Sequence, residues 1–282
     1  MTTYGITSIT GRFGQFALNE LLKNIPADHI VGFARDIQKG QKIVPDGVTV
    51  RLGDFTQPEA LAQSFQGIDR LLFISSIPGQ QVSRGQQHQN VVQAARQAQV
   101  EHIVYTSFPH ADTATTPLAA DHFATEQAIT AAGISHSFLR NNWYLENELA
   151  FIKAGGAQEP LLDATDHAHV GWALEQEYAI GAAKVLQMEQ PKTIYEFSGP
   201  ANTFADLAQA MPYQPQVQPV TLTQMRQILT DKGLSSAAIE AKMMVQTLIH
   251  DRQLAQTAND LTEVLGHPLT PLTEAVQQIL KK

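Results

Sequence analysis

A glycine-containing turn near the start of the chain has the spacing of a phosphate-binding loop. The segment Thr7–Gly14 (TSITGRFG) follows a short apolar run and precedes apolar residues at helical spacing. Between a strand and a helix, Gly11 would let the backbone approach phosphate groups, and Gly14 would let the helix pack closely on a sheet. Ser8 stands where a Gly-x-x-Gly-x-x-Gly motif has its first glycine. The turn predicts a dinucleotide site, with an ordinary loop whose glycines serve packing as the alternative.

The second predicted strand ends in a residue that could select the dinucleotide. Arg35 lies 21 residues after Gly14, where the dinucleotide-binding fold places an acid for NAD or an arginine near the 2′-phosphate of NADP. Arg35 favours NADP(H), while the adjacent Asp36 leaves NAD(H) open. The alternative is a solvated pair between Arg35 and Asp36 at a strand end.

A histidine and a glutamate at helical spacing are candidates for proton transfer. None of the six tyrosines is followed four residues later by lysine, so the Tyr-x-x-x-Lys pair of ordinary short-chain dehydrogenases is absent. His122 and Glu126 are four residues apart and share one face of a predicted helix. They could form a proton donor with an orienting carboxylate, or a surface pair.

Two aromatic residues follow the sixth predicted strand. Trp143 and Tyr144 have flat, amphipathic side chains that could stack on an aromatic substrate. Hinge packing is the alternative role for both.

Several histidines are less informative. His167 and His169, with Asp163 and Asp166, resemble a metal cluster, but no supporting pattern surrounds them, and we expect no metal. His88 lies on an apolar helical stripe and is expected to be a buried, hydrogen-bonded structural residue.

Alternating strands and helices would position these residues. The predicted strands are Gly5–Ile9, Ile30–Arg35, Val48–Leu52, Arg70–Ser76, His102–Ser107 and Ser135–Arg140. Helices are predicted between them, over Arg12–Ile25, from a Thr56–Glu59 capping box to Gly67, over Ser83–Gln99, and from Thr116 to Gly133. This order predicts an α/β fold with a doubly wound parallel sheet of the Rossmann type and a ligand site at the carboxyl ends of the strands.

The second half of the chain is predicted to extend this sheet and then to add a cap. A helix is predicted over Glu177–Gln187, and a strand of the same sheet is predicted over Thr193–Gly199. The segment Met211–Pro219 interrupts the alternation of strands and helices. Further helices are predicted over Thr223–Lys232, Ser235–Leu254, Thr257–Leu265 and Pro271–Leu280. We therefore expect a dinucleotide-binding domain over 1–150 and about 168–200. A small, mostly helical C-terminal substrate cap would span about 151–167 and 201–282.

Composition excludes several classes of function. The 282 residues include no cysteine, which excludes disulfides, thiol catalysis, cysteine-ligated zinc and iron–sulfur clusters. A net charge of −8 disfavours nucleic-acid binding. No apolar run reaches the length of a membrane span, and no signal peptide is recognised, so a cytoplasmic protein without a membrane partner is expected.

These segments together resemble the NmrA-like, atypical short-chain dehydrogenase family, and within it the flavin-free NAD(P)H:quinone oxidoreductases and triphenylmethane dye reductases. The block Arg140–Asn147 (RNNWYLEN) is the most specific match. The matching segments are Thr7–Gly14, Phe33–Asp36, Gly53–Phe55, Leu72–Ser76, His88–Val91, Tyr105–Ser107, His110–Asp112, His122–Glu126, Leu139–Asn147, Leu265–Pro268 and Leu272–Val276.

The resemblance implies roles for particular residues. Thr10–Gly14 would hold the pyrophosphate, and Arg35 would meet the 2′-phosphate. The other implied cofactor residues are Ser8, with Arg12 and Phe13 inside the turn, Asp54 and Phe55 at the adenine, Ser75 and Ser76 along the cofactor, and Thr106 and Asn141. Asn142, Trp143 and Tyr144 would bind substrate, and His122 and Tyr144 would act in catalysis.

The resemblance also implies an activity. The activity would be NADPH-dependent hydride transfer to a quinone or similar planar acceptor, without flavin or metal. The resemblance is compatible with either a monomer or a homodimer. The alternative is an NADP(H)-binding redox-sensing regulator without turnover.

Overall fold

The computed structural model describes residues 1–77, 79–156 and 160–281 and divides into two units. The first contains Met1–Asn141, Gln176–Glu196 and Glu263–Gly266, and the second contains the other described residues. The strands are β1 (Tyr4–Ile6), β2 (Ile30–Ala34), β3 (Thr49–Leu52), β4 (Arg70–Phe73), β5 (His102–Ser107), β6 (Ser135–Asn141), β7 (Leu161–Asp163), β8 (Ile194–Phe197) and β9 (Val217–Pro219).

The α-helices and two 3₁₀ helices connect these strands. The α-helices are α1 (Arg12–Leu21), α2 (Ile37–Gln41), α3 (Pro58–Ser64), α4 (Arg84–Gln97), α5 (Pro117–Ala131), α6 (Leu149–Ala154), α7 (Glu175–Gln187), α8 (Phe204–Ala210), α9 (Leu222–Asp231), α10 (Ser236–His250), α11 (Asp260–Leu265) and α12 (Leu272–Leu280). The 3₁₀ helices are Ala27–His29 and Leu145–Glu148. Among the described residues, no helix is long and apolar enough to cross a membrane.

The seven-stranded sheet has the order β3-β2-β1-β4-β5-β6-β8, and the first six of its strands pair in parallel. The chain moves outward from β1 to β3 and then reverses direction to β4, which makes the junction of β1 and β4 the switch point of a doubly wound sheet. The predicted α/β fold is confirmed, and so is the prediction that the strand near residues 193–199 joins the same sheet.

Aromatic side chains fill the core beneath β4 and β5. Phe33 meets Phe65 edge-on at a ring-centroid distance of 4.8 Å, and Phe73 lies 4.9 Å from Tyr105. All four are buried. Because each such side chain contributes about 1.5–3 kcal/mol when buried, these contacts fix the strands whose carboxyl ends carry the candidate site.

Some predicted boundaries are wrong for local reasons. β1 ends at Ile6 instead of Ile9, because Ser8 takes the left-handed conformation (φ 52°), which a strand cannot include. Thr56 does not cap α3, since its hydroxyl donates to Asp54 Oδ1 at 2.8 Å and Gln57 takes the cap position.

The second unit contains a two-stranded parallel sheet of β7 and β9, and helices that include α9 and α10. Its core contains Met225 and Leu229 of α9, with Ile239 and Met243 of α10. The segment Met211–Pro219, predicted to be irregular, includes β9, which has three residues and ends in proline. A strand of three residues is too short to show the alternation of apolar and polar residues by which a strand is recognised in a sequence.

Candidate functional site

The turn after β1 closes tightly around one carbonyl group. Gly11 N–H donates to the Ser8 carbonyl oxygen at 2.9 Å, and a Cβ on Gly14 would lie 2.6 Å from that same oxygen. No residue larger than glycine fits at position 14 without moving backbone. Ser8 itself adopts φ 52°, a conformation that costs a non-glycine residue about 1–2 kcal/mol.

The N-terminus of α1 is suited to an anion. Gly11 is the cap residue and is exposed, and the first turn of α1 contains no acidic side chain. The first amide groups of a helix have no intrahelical acceptor, and the helix dipole favours negative charge there. These features fit the pyrophosphate of a dinucleotide. Of the residues predicted to surround it, Thr10 is half-buried and Arg12 is exposed, whereas Phe13 is buried in the core.

Arg35 and Asp36 at the end of β2 do not form the solvated pair considered from the sequence. Asp36 caps α2, because its side chain accepts the Lys39 N–H at 2.9 Å. Arg35 is exposed and, among the described residues, has no hydrogen bond or ion pair. The guanidinium therefore remains available to a phosphate, while the neighbouring acid is used by the helix.

Asp54 and Phe55 follow β3 and have different environments. Burial would raise the pKa of Asp54, but hydrogen bonds from Thr56 and Gln57 and the charge of Arg35 lower it below its usual value. Phe55 is buried, and its ring packs edge-on against Phe73 at 5.7 Å. The structure thus places the carboxylate near Arg35 and the ring in the core.

Hydroxyl groups connect the carboxyl ends of the central strands. The N–H of Ile74 donates to Thr7 Oγ1 at 2.8 Å, and the N–H of Ser75 donates to Thr106 Oγ1 at 2.9 Å. Thr7 follows β1, and Thr106 belongs to β5. The segment leaving β4 is therefore held at the switch point of the sheet, where ligands bind in such folds.

His88 of α4 is the buried structural histidine predicted from the sequence, and that prediction is confirmed. Its Nε2 accepts the Ser76 N–H at 3.0 Å. The ring proton must therefore be on Nδ1, which donates to Thr125 Oγ1 at 2.8 Å. Burial and the charge of Arg84 lower the pKa of His88 to about 3, so the ring is neutral.

His122 of α5 is also buried and neutral. Arg84 Nη2 donates to His122 Nε2 at 2.7 Å, and Nδ1 lies 2.9 Å from the Tyr105 hydroxyl. Because the guanidinium can only donate, the proton of His122 is on Nδ1 and points to Tyr105. Burial, followed by the charge of Arg84, lowers the pKa of His122 well below its usual value.

The predicted pairing of His122 with Glu126 is wrong. Glu126 accepts two hydrogen bonds from Arg140, from Nε at 3.0 Å and Nη2 at 2.8 Å, and one from Ser107. Arg140 also contacts Glu196 at 3.1 Å. Both carboxylate oxygens of Glu126 therefore serve an ion network under β6, and Glu126 is buried rather than on the surface.

In the second unit, Asn142 and Trp143 are held by their neighbours. The Asn142 amide donates to the carbonyl groups of Leu254 and Gln256, each at 3.1 Å, and accepts the Trp143 N–H. Trp143 Nε1 donates to Glu148 at 2.9 Å. Most of the hydrogen-bonding capacity of Asn142 is thereby used within the unit, whereas the half-buried Trp143 retains an accessible surface.

The remaining predicted site residues are Asn141 and Tyr144. Asn141 is the last residue of β6 and is buried, and Tyr144 is half-buried and forms a parallel bridge with Ala173. Elsewhere, His167 and His169 belong to no metal-binding group: the described residues contain no set of three or more ligating side chains that could hold a metal.

Comparisons with known proteins assign the family. A model of the NAD(P)H-binding family matches residues 9–171. The chain belongs to this family. It is 34% identical over 281 residues to quinone oxidoreductase 2 of Escherichia coli, covering 97% of each chain.

Two solved structures are similar over nearly the whole chain. The triphenylmethane reductase of Citrobacter sp. in complex with NADP(H) has a TM-score of 0.91 at 31% identity, covering 98% of this chain and 99% of that one. The NADPH-dependent quinone oxidoreductase of Escherichia coli in complex with NADPH has a TM-score of 0.90 at 32% identity, covering 99% and 100%. The resemblance to quinone oxidoreductases and dye reductases predicted from the motifs is confirmed.

Sequence reasoning missed Arg84 in this family member. Arg84 is the first residue of α4, and α4 has no acidic residue in its first turn. A positive charge is unfavourable at a helix N-terminus. An arginine directly after the serine that begins a predicted helix is therefore a signal that the sequence carried.

Proposed function

We propose that this protein is an NADPH-dependent oxidoreductase that transfers a hydride to a quinone or a similarly planar electrophile, without flavin or metal. The observation that carries the proposal is the turn at Gly14 next to α1, with the exposed Arg35 at the end of the neighbouring strand. Full-length similarity to a quinone oxidoreductase and a dye reductase supports the enzyme over a regulator without turnover.

The chain would bind and orient its cofactor mainly through backbone groups. NADPH, when bound, supplies the hydride. The amides at the start of α1 hold the pyrophosphate, and Arg35 holds the 2′-phosphate, which an NADH molecule lacks. Ser75 and Ser76, fixed by Thr106 and His88, line the exit of β4.

Proton transfer would depend on residues other than His122. His122 has no proton on Nε2, because that atom accepts from Arg84, and its ring is neutral. His122 therefore acts as a positioning residue for Tyr105 and Arg84. The half-buried Tyr144 remains the proposed proton donor to the reduced acceptor, and solvent can supply the proton in its absence.

The first experiment is a calorimetric titration with NADPH and NADH. We expect tighter binding of NADPH, and we expect Arg35→Ala to weaken NADPH binding while leaving NADH binding nearly unchanged. Arg96→Ala, which removes an exposed arginine in the last turn of α4, is the matched control.

Turnover is then measured with menadione and with a triphenylmethane dye. NADPH oxidation that depends on either acceptor supports the proposal. Tight NADPH binding without oxidation by any planar acceptor would favour the regulatory function instead.

A further inference from the structure

We propose that Arg84 is an anion-binding residue that receives a negatively charged oxygen of a bound ligand. This inference rests on the proposed function, which supplies two candidate ligands: the cofactor, with its phosphate oxygens, and the acceptor, whose oxygen gains charge on reduction. The shared chemistry is a planar guanidinium donating to an oxygen that carries charge.

The guanidinium of Arg84 is buried but mostly without partners. Arg84 is 6% exposed, and its Nε and Nη1 atoms have no hydrogen-bond acceptor among the described residues. Within the same part of the chain, no carboxylate oxygen comes within 4.0 Å of its nitrogens. Buried arginines are normally paired, so this arrangement indicates an acceptor that the chain alone does not supply.

Among the described residues, the one hydrogen-bond partner of Arg84 cannot neutralise it. Nη2 donates to His122 Nε2 at 2.7 Å, and His122 is neutral with its own proton directed to Tyr105. Burial, the largest effect, lowers the pKa of Arg84, whereas interactions with Tyr105 and Asp121 raise it. A positive charge is therefore held in place by a neutral histidine, and Nε and Nη1 have no acceptor in the described part of the chain.

A second unpartnered group lies at the other end of the same connection. Ser76 Oγ is buried and has no hydrogen-bond partner in the described structure, although the Ser76 backbone is fixed by His88. Ser76 leaves β4 and Arg84 begins α4, so both lie on the segment that follows the carboxyl end of β4. This end of the sheet is where a doubly wound fold binds its ligands.

The reaction creates a suitable anion. A quinone that accepts a hydride gains two electrons and one proton, while NADPH becomes NADP⁺. The product is the hydroquinone monoanion, and one further proton from water gives the neutral hydroquinone. A guanidinium placed at the developing oxyanion stabilises it without rearrangement during the reaction.

Binding titrations test this proposal without requiring turnover. The probes are 2-hydroxy-1,4-naphthoquinone, an anion at neutral pH, and menadione, which is neutral, each titrated into protein saturated with NADP⁺. NADPH is titrated separately into ligand-free protein. The variants are Arg84→Met and Arg84→Lys. The control is Arg70→Met, because Arg70 also has nitrogens without partners in the described structure but is the first residue of β4, at the amino ends of the strands.

Two results support the proposal and identify the source of the oxygen. If the acceptor is the source, Arg84→Met weakens binding of the anionic quinone by about tenfold or more and leaves menadione within about threefold. If the cofactor is the source, Arg84→Met weakens NADPH binding by a similar factor. In either case Arg84→Lys retains part of the affinity, and Arg70→Met leaves it unchanged.

Thermal unfolding of the ligand-free protein separates this role from a structural one. Removing an uncompensated buried charge should leave the melting temperature of Arg84→Met equal to or above that of the wild type. The proposal is overturned if Arg84→Met has a lower melting temperature and its affinities for 2-hydroxy-1,4-naphthoquinone, menadione and NADPH are all unchanged. If the wild type binds the anion through Arg84 but reduces no acceptor, only the proposed function fails.

Discussion

Replacing Glu148 with glutamine should remove a pH dependence of stability that is built into the second unit. Glu148 is 6% exposed and accepts the Trp143 Nε1–H at 2.9 Å. Burial raises its pKa from 4.5 to about 7, and the hydrogen bond from Trp143, the interaction with Trp172 and the charge of Lys242 offset burial only in part. Glutamine keeps the acceptor oxygen for Trp143 but cannot ionise.

The sign and size of this pH dependence of stability follow from the shift in the pKa of Glu148. The folded protein holds the proton of Glu148 more tightly than the unfolded chain does. The contribution of this group to the free energy of unfolding is therefore fully present below about pH 4.5 and is lost as the pH rises through about 7. A shift from 4.5 to about 7 corresponds to roughly 3 kcal/mol. Relative to Glu148→Gln, the wild type should therefore lose roughly 3 kcal/mol of unfolding free energy between acidic pH and pH 8.

Two measurements check this prediction. Urea unfolding of both proteins across this pH range gives the difference in unfolding free energy. Intrinsic fluorescence gives the pKa of Glu148, because the chain has two tryptophans: Trp143 donates to Glu148, and Trp172 also interacts with it. We expect a fluorescence transition near pH 7 in the wild type that Glu148→Gln lacks.

Glu189→Gln, at an exposed position, controls for the change in net charge. Parallel pH profiles of wild type and Glu148→Gln, or a fluorescence transition that survives in the variant, would refute the assignment of a buried, protonated carboxyl group to Glu148.

Three further substitutions test the site and its support. Gly14→Ala puts a Cβ 2.6 Å from the Ser8 carbonyl oxygen and should reduce the NADPH affinity measured by calorimetry at least about tenfold. The control Gly156→Ala, whose Cβ would have no neighbour closer than 3.8 Å, should leave that affinity unchanged. Ser8→Gly relieves the left-handed conformation and should raise the unfolding free energy by about 1 kcal/mol, an effect that Ser8→Ala should not reproduce. Arg140→Met leaves the buried Glu126 without its cation and should cost about 3–5 kcal/mol in urea unfolding; a cost below about 1 kcal/mol would contradict the importance of this network.

The sheet could be predicted because its strands are apolar and its helices carry local start signals. The Ser83 and Thr116 side chains cap α4 and α5 as their positions in the sequence indicate. A strand buried on both faces, such as β5, is recognisable without knowledge of its neighbours.

Side-chain partners could not be predicted in the same way. Spacing of four residues places His122 and Glu126 on one side of α5, but it does not say which neighbour each one meets. Glu126 meets Arg140 of β6, and His122 meets Arg84 of α4. These contacts depend on how three separate elements pack, which no local pattern records.

The cap that Asp36 provides to α2 has a consequence for attempts to change cofactor preference. An enzyme redesigned to use NADH needs an acid that binds the ribose hydroxyls. In this protein the acid next to Arg35 already holds the first turn of α2 through the Lys39 amide. Redirecting Asp36 to a ribose would leave that turn uncapped, so cofactor choice and the folding of a five-residue helix are coupled, and a successful redesign would have to supply a new cap.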